Sequence, residues 1–155
     1  MRPSALNVDI EMDKVNIMSN NSIQITEFDL RRLVKLIREA EHTDYRGSEY
    51  LDELRAELDC AQIVPSQAVS QEVVTMNSTV VVLDPITREE ETYTLVFPEY
   101  ADIGQGKISI LAPVGTAMLG CKIGDSFESK VPAGKRRLKV KRIIYQPEAA
   151  GDYHL

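Results

Sequence analysis

The sequence predicts an α+β protein in which an antiparallel pair of helices precedes a mostly antiparallel sheet that carries one short helix. Apolar residues recur at helical spacing between residues 26 and 64, whereas β-branched residues alternate in short runs after residue 73. Proline and glycine mark turns between these runs. With 155 residues, of which 43% are hydrophobic and 27% charged, the chain can form one compact domain or two small ones.

The first predicted helix follows a polar, unperiodic arm, residues 1–21, which we expect to be flexible. Thr26 is a residue type that favours the N-cap position. Asp29 follows three residues later, where its carboxylate would face the free backbone N–H groups of the first turn. The apolar face of this helix consists of Leu30, Leu33, Val34 and Ile37.

The second predicted helix runs from Ser48 to Val64, after a turn in which Gly47 and Ser48 give the stop and restart signals. Pro65 ends it. We expect each apolar face to be buried only by the other, which predicts an antiparallel helical hairpin over residues 22–64. The apolar face of the second helix consists of Leu51, Leu54, Leu58 and Ala61.

The C-terminal part is predicted to form a sheet domain over residues 73–155, joined to the hairpin by a linker at 65–72. "TVVVLDPITREEETYTLVF" predicts a hairpin of two strands, "GKISILAP" a third strand, and "VGTAMLG" a short helix. "DSFESKVPAGKRRLKVKRIIYQ" predicts two more strands around a turn at 132–134.

Composition and cysteine usage argue against several classes of function. A net charge of −6 argues against a protein that wraps duplex DNA by itself. Cys60 and Cys121 lie far apart, as do His42 and His154, so no four-ligand zinc site is predicted. No signal peptide or membrane-length apolar run is present, so the expected location is the cytoplasm and no membrane partner is predicted.

The sequence also lacks recognisable catalytic motifs. No glycine-rich loop opens a helix after a strand, and no serine or cysteine lies in a nucleophile-elbow context. The sequence therefore predicts no catalytic residues, no bound metal and no cofactor.

A basic face is predicted on the last strand, where Arg137, Lys139 and Lys141 alternate with Leu138 and Val140. These cations could contact nucleic acid or an acidic protein surface. They could equally keep an exposed strand face soluble and unpaired. The absence of interleaved aromatic residues, on which bases would stack, favours the second interpretation.

The stretch "GKISILAPVGTAMLGCKIGD" resembles the C-terminal domain of the Gre transcription elongation factors. The segments "AELDCAQ", "VVTMNS" and "YQPEAAGDYHL" resemble the Rnk group, the short members of that family, and the resemblance extends over residues 23–155. The family pattern of Gly-x-Ile-Ser, Pro, Leu-x-Gly and Gly-Asp is matched by Gly106, Ile108, Ser109, Pro113, Leu119, Gly120, Gly124 and Asp125.

The resemblance implies an N-terminal antiparallel coiled coil, a C-terminal FKBP-like domain and binding to RNA polymerase at the rim of its secondary channel. Nucleic acid would be contacted only indirectly, through the polymerase. The family's Ser-Pro docking pair falls on Ala112 and Pro113, so the serine is replaced. The docking residues implied by the resemblance are Ala112, Pro113, Val114 and Met118.

The hairpin tip carries the acidic residues Glu41, Asp44 and Glu49. In the family's cleavage factors, two acidic tip residues help to hold a second Mg²⁺ in the polymerase active site. Here a first helix of about 15 residues spans only roughly 22 Å, and the tip motif is not reproduced. We therefore expect a regulator that does not cleave transcripts, with a cleavage factor and a nucleic-acid-binding module as the alternatives.

Overall fold

The computed structural model describes residues 23–43, 47–131 and 134–155. The predicted N-terminal arm, the tip residue Asp44 and residues 132–133 of the predicted turn lie outside the described residues. The fold is a mixed α+β arrangement with a two-stranded and a five-stranded sheet. No helix in the described part of the chain is both long and apolar enough to cross a membrane.

The helices and strands occur in the order β1-α1-α2-β2-β3-β4-β5-α3-β6-β7-α4. The strands are β1 (Gln24–Thr26), β2 (Gln62–Val64), β3 (Thr79–Leu83), β4 (Glu90–Val96), β5 (Lys107–Ser109), β6 (Ser126–Val131) and β7 (Gly134–Tyr145). The helices are α1 (Glu27–Ala40), α2 (Glu49–Asp59), α3 (Pro113–Met118) and α4 (Pro147–Ala150).

The five-stranded sheet has the order β5-β4-β3-β7-β6. Neighbouring strands pair antiparallel except β4 and β5, which pair parallel, so the prediction of a mostly antiparallel sheet is confirmed. The turn between β3 and β4 is held by Asp84, whose carboxylate accepts hydrogen bonds from the N–H groups of Ile86 and Thr87 at 2.9 and 3.2 Å. This turn fixes the predicted strand hairpin.

Helix α1 begins where the sequence predicts. The Thr26 hydroxyl accepts a hydrogen bond from the N–H of Asp29 at 3.0 Å, which confirms Thr26 as the N-cap. Leu33 and Ile37 are buried, but Val34 is 39% exposed and so does not belong to the buried face. Val34 lies one position beyond Leu33, a rotation of about 100° around the helix, which turns it towards solvent.

Helix α2 ends at Asp59, five residues earlier than predicted. Residues Gln62–Val64 instead form β2, which pairs parallel to β1 with Gln24 opposite Gln62. Val64 precedes Pro65, and the residue before a proline is biased to extended backbone. The β-branched side chains of Ile63 and Val64 favour the same conformation, so the predicted helical extension was wrong.

The helices and the sheet share one hydrophobic core. Leu33 of α1 and Leu54 of α2 belong to the same buried cluster as Val80 of β3 and Leu138 of β7. The prediction that each helical face is buried only by the other helix is therefore wrong, because both faces also pack against the C-terminal part of the chain.

Gly120 lies in close contact with Ile23, the residue that precedes β1. It has a φ of +80°, and a Cβ atom added there would lie 2.1 Å from Cβ of Ile23. Only glycine allows both this backbone conformation and this approach. The segment that leads into β1 is thus seated directly on the segment that follows α3.

A buried ion pair also joins α1 to the C-terminal part. Asp29 is 1% exposed; it forms an ion pair with Arg32 and accepts a hydrogen bond from the N–H of Met76 at 3.2 Å. Contrary to the prediction, its carboxylate therefore binds Arg32 and the backbone of Met76 and not the free N–H groups of the first turn. Burial raises the pKa of Asp29 to about 6, although Arg32 opposes this rise; the nearby carboxylate of Glu148 adds to it.

Arg32 contacts two aromatic rings and the C-terminal segment, although its buried Nε has no hydrogen-bond partner among the described residues. Its guanidinium carbon lies 3.9 Å from the ring centre of Phe28 and 4.8 Å from that of Phe97. It also donates a hydrogen bond to the backbone oxygen of Leu155 at 2.9 Å. Arg32 therefore ties α1 both to the end of β4 and to the C-terminal segment.

Replacing Asp29 tests the pH dependence of this junction. Because the folded state favours the protonated carboxyl, Asp29 contributes stability that is present below about pH 4 and is lost as the pH rises through about 6. A rise in pKa from 3.8 to about 6 corresponds to about 3 kcal/mol. The free energy of unfolding of the wild type, minus that of Asp29→Asn, should fall by up to this amount over that range in urea denaturation.

The control is Asp59→Asn, which removes an exposed carboxylate at the end of α2. Its difference from the wild type should change less with pH than that of Asp29→Asn, because Asp59 lies at the surface and not in the core. If the difference for Asp29→Asn stays flat or rises with pH, the raised pKa of Asp29 is contradicted.

Replacing Gly120 tests the contact with Ile23. We expect Gly120→Ala to lower the free energy of unfolding by about 2–4 kcal/mol, because the new methyl group meets a buried side chain at 2.1 Å. Gly124→Ala is the matched control, since its φ is +96° but nothing lies within 4 Å of the added atom. Gly124→Ala should lower the free energy of unfolding by only about 1–2 kcal/mol, which is the cost of a left-handed backbone conformation for alanine. If urea denaturation gives equal losses of the free energy of unfolding for the two variants, the contact between Gly120 and Ile23 is contradicted.

Candidate functional site

The turn that starts α3 carries three of the four predicted docking residues. Pro113 is the first residue of α3, a position that suits its fixed φ and missing N–H. The backbone oxygen of Ala112 accepts a hydrogen bond from the N–H of Thr116 at 2.9 Å, and the Thr116 hydroxyl donates to the backbone oxygen of Ile110 at 2.6 Å. Ala112, Pro113 and Val114 are half-buried on this constrained turn, so each presents part of its surface to solvent.

The fourth predicted docking residue lies elsewhere. Met118, at the end of α3, is 0% exposed and belongs to the hydrophobic core. Its side chain is therefore not on the surface of this conformation. It supports the turn from below by filling the core beneath α3.

A groove of about 140 Å³ lies beside Pro113. From α3, Pro113 and Ala117 line it, and from α2 it is lined by Tyr50 and Glu53. The structure thus brings the turn at Pro113 next to the second helix, a neighbourhood that sequence spacing did not indicate.

Strands β6 and β7 complete the groove with Glu128, Ser129 and Lys135. Ser129 is 2% exposed, and its hydroxyl oxygen has no hydrogen-bond partner within the described part of the chain. Lys135 and Glu128 are both largely exposed, with 4.0 Å between the lysine nitrogen and a carboxylate oxygen. Such a long, solvated ion pair contributes little stability.

The acidic tip residues are not gathered into one described cluster. Glu41 caps the end of α1 and forms an ion pair with Arg55 of α2, which also contacts Asp52 at 3.2 Å. Glu49 is the first residue of α2, and Asp44 lies outside the described residues. In the ranges that the structure describes, no group of three histidine, cysteine or acidic residues could hold a metal ion.

The predicted alternation of β7 is confirmed. Leu138 and Val140 are fully buried, while Arg137, Lys139 and Lys141 are exposed. The three cations therefore lie on the side of the strand that faces away from the core.

Acidic residues of the neighbouring hairpin offset part of this basic face. Lys141 forms an ion pair with Glu90 of β4. Arg136, which is not among the predicted basic residues, contacts Asp84 at 3.2 Å and Glu91 at 2.6 Å. This pairing supports the interpretation of the strand as a solvated face.

A larger open groove of about 390 Å³ lies between Glu57 of α2 and the segment that follows α3. Burial raises the pKa of the Cys121 thiol, which lines this groove, to about 12. The thiol therefore stays protonated at neutral pH and is a poor nucleophile. Burial and the charge of Glu53 also raise the pKa of Glu57.

Family comparisons cover nearly the whole described chain. The profile described as "Transcription elongation factor, GreA/GreB, C-term" matches residues 69–145, and the profile described as "Rnk N-terminus" matches residues 21–64. The first match contains the turn at Pro113 and the basic strand. The second contains both α1 and α2.

Individual relatives agree with both profiles. The regulator of nucleoside diphosphate kinase of Escherichia coli K12 is 40% identical over 139 residues, which are 89% of this chain and 100% of that protein. The transcription elongation factor GreA of Trichlorobacter lovleyi is 38% identical over 96 residues, which are 62% of this chain and 61% of that protein.

A solved structure matches the fold as well. The prokaryotic transcription elongation factor GreA/GreB from Nitrosomonas europaea aligns with a TM-score of 0.66 at 40% identity. The alignment covers 79% of this chain and 98% of that one. By sequence and by structure, this chain belongs to the GreA/GreB family of transcription elongation factors, among the members that carry an Rnk N-terminal segment.

Proposed function

We propose that this protein regulates transcription by binding RNA polymerase at the rim of the secondary channel, without cleaving transcripts. The docking surface in this proposal is the exposed part of Ala112, Pro113 and Val114. The observation that carries it is the constrained turn at the start of α3, which presents these residues within the segment that matches the GreA/GreB profile. A preformed turn binds without paying a large ordering cost.

In this proposal the sheet region acts as an FKBP-like docking domain outside the channel, and the helix pair acts as a short coiled coil directed inwards. Helix α1 has 14 residues and α2 has 11. At about 1.5 Å per residue they extend roughly 21 Å and 16 Å. The location that follows from this role is the cytoplasm, where bacterial transcription takes place.

The absence of cleavage is proposed from the tip. A carboxylate that coordinates Mg²⁺ must offer free oxygen atoms at about 2.1 Å from the ion. One carboxylate oxygen of Glu41 already contacts Arg55 in an exposed ion pair, which an ion would have to displace. The helix pair is also short, which argues against cleavage as well. The protein would therefore occupy the channel entrance and compete there with longer factors.

The docking surface can be tested with Ala112→Glu. A carboxylate before the first turn of α3 is compatible with the helix, but it places a charge in the proposed contact. We expect at least a tenfold loss of affinity for core RNA polymerase, about 1.4 kcal/mol, measured by fluorescence anisotropy at fixed salt. Ile86→Glu is the matched control, because Ile86 is 87% exposed in the turn between β3 and β4. Equal losses in both variants would argue against this surface.

The absence of cleavage can be tested on backtracked elongation complexes. We expect no shortening of the transcript when the protein is added, and slower shortening when it is added together with a GreA factor. Gel analysis of labelled RNA gives the readout. Shortening that disappears in Asp44→Ala would identify a cleavage factor and reject the proposed role.

A further inference from the structure

The exposed side of α1 carries a basic stripe, which consists of Arg31, Lys35 and Arg38. These residues follow each other at intervals of four and three, so they lie on one side of the helix. All three are exposed, and that side is opposite the buried residues of α1. Within the ranges that the structure describes, none of the three forms an ion pair. The stripe therefore presents its positive charge to solvent.

The exposed side of α2 carries an acidic stripe, which consists of Glu49, Asp52 and Glu53. These residues lie within one turn of each other and opposite the buried leucines of α2. Arg55, the one arginine of α2, contacts Asp52 and also Glu41 of α1. A single arginine cannot offset the five acidic residues of α2, so this side of the helix stays negative.

The two stripes lie side by side on one surface of the molecule. Strand β1 leads directly into α1, and β2 follows α2 after two residues, so the pairing of β1 with β2 holds the bases of the two helices together. The ion pair between Glu41 and Arg55 joins the helices further along. Both helices bury their other sides in the same core. The outer surface of the helix pair is therefore basic along α1 and acidic along α2.

Such a surface is complementary to itself. A second copy rotated by 180° about an axis parallel to the helix pair brings its basic stripe over the acidic stripe of the first copy, and its acidic stripe over the basic one. Rotation about an axis across the helices would place like charges on each other, which disfavours that arrangement. Val34, which is 39% exposed beside the basic stripe, and the exposed Ala56 of α2 add apolar contacts to the favoured arrangement.

We infer that two copies of this protein pair through the outer surfaces of their helix pairs, with the basic stripe of each copy on the acidic stripe of the other. The pairing is weak, because a surface of two helices measures roughly 20 Å by 20 Å, or about 400 Å². A stable complex buries about 800 Å² per partner. We expect a dissociation constant of about 10–100 μM.

The pairing has a consequence for the proposed function. The surface that would enter the polymerase channel is the surface that the second copy covers, so a paired molecule cannot insert its helices. Pairing would thus limit the amount of active regulator when the protein is abundant. This consequence rests on the proposed function, whereas the pairing itself does not.

The first experiment measures self-association of the full chain by sedimentation velocity. The dissociation constant should increase at least about fivefold between about 0.05 and 0.5 M NaCl, because exposed charges are screened by salt. Lys35→Glu and Glu53→Lys should each weaken pairing at least about fivefold, since each places like charges opposite each other. Melting temperatures show that both variants are folded. A wild type whose sedimentation does not change with concentration would overturn the inference.

An equimolar mixture of Lys35→Glu and Glu53→Lys tests the arrangement itself. In the mixed pair one contact has both charges reversed and the other is native, so association should return to within about twofold of the wild type. Both variants keep a net negative charge, since each substitution changes the charge of −6 by only two. Mixing therefore creates no general attraction. A mixture that associates no more tightly than the separate variants would overturn the inference.

The matched controls are Arg137→Glu and Glu72→Lys, which make the same changes of charge at exposed positions outside the helix pair. Each should associate within about twofold of the wild type. The basic stripe could instead bind nucleic acid. If single-stranded RNA binds the wild type, Lys35→Glu abolishes this binding and mixing restores no pairing, the stripe serves nucleic acid and the inference is overturned.

Energy transfer between labelled copies connects the pairing to RNA polymerase. Cys60 is exposed, whereas the Cys121 thiol has a pKa of about 12, so thiol dyes react at Cys60. Excess core polymerase should abolish transfer between copies that carry donor and acceptor, which would support both proposals. Copies that stay paired on bound polymerase would overturn the mutual exclusion. If copies pair but polymerase does not bind, the proposed function fails and the pairing stands. If polymerase binds and no pairing occurs, the inference fails alone.

Discussion

The position of the helix pair depends on the buried contact between Asp29 and Arg32. Asp29 reaches from α1 to the backbone of Met76, and Arg32 reaches to Phe97 and to the backbone oxygen of Leu155. These contacts fix α1 against three separate segments of the C-terminal part, and the shared core completes the attachment. A carboxylate held in such a site carries a desolvation cost, which opposes the attraction of Arg32.

That orientation also creates the groove. Tyr50 and Glu53 reach the turn at Pro113 only because α2 packs beside α3, and α2 is held there by a core that includes α1. The surface next to Pro113 is therefore composite: one wall comes from the segment that matches the Rnk profile and the others from the segment that matches the GreA/GreB profile. A partner that contacts this surface would therefore contact both segments at once.

Local signals in the sequence predicted much of this structure. Three features whose signals lie close together in the chain were predicted correctly. These are the cap at Thr26, the burial of Leu33 and Ile37, and the antiparallel pairing of β3 with β4. The end of α2 was not, because residues 62–64 are extended through pairing with β1, which is distant in sequence. Among the candidate site residues, motif spacing pointed to Pro113. It could not point to Ser129, because the missing partner of a hydroxyl is decided by packing in three dimensions.

The parallel pairing of β1 with β2 has a consequence for how this family can vary. Gln24 lies opposite Gln62, and the N–H of Gln62 donates to the backbone oxygen of Ile23 at 2.8 Å. The chain therefore leaves and re-enters the base of the helix pair at one fixed point. Whole helical turns can be added or removed at the far end without moving that point, at the small entropic cost of a longer closed loop. The length of the two helices can therefore change while the pairing of β1 with β2 keeps their base in place.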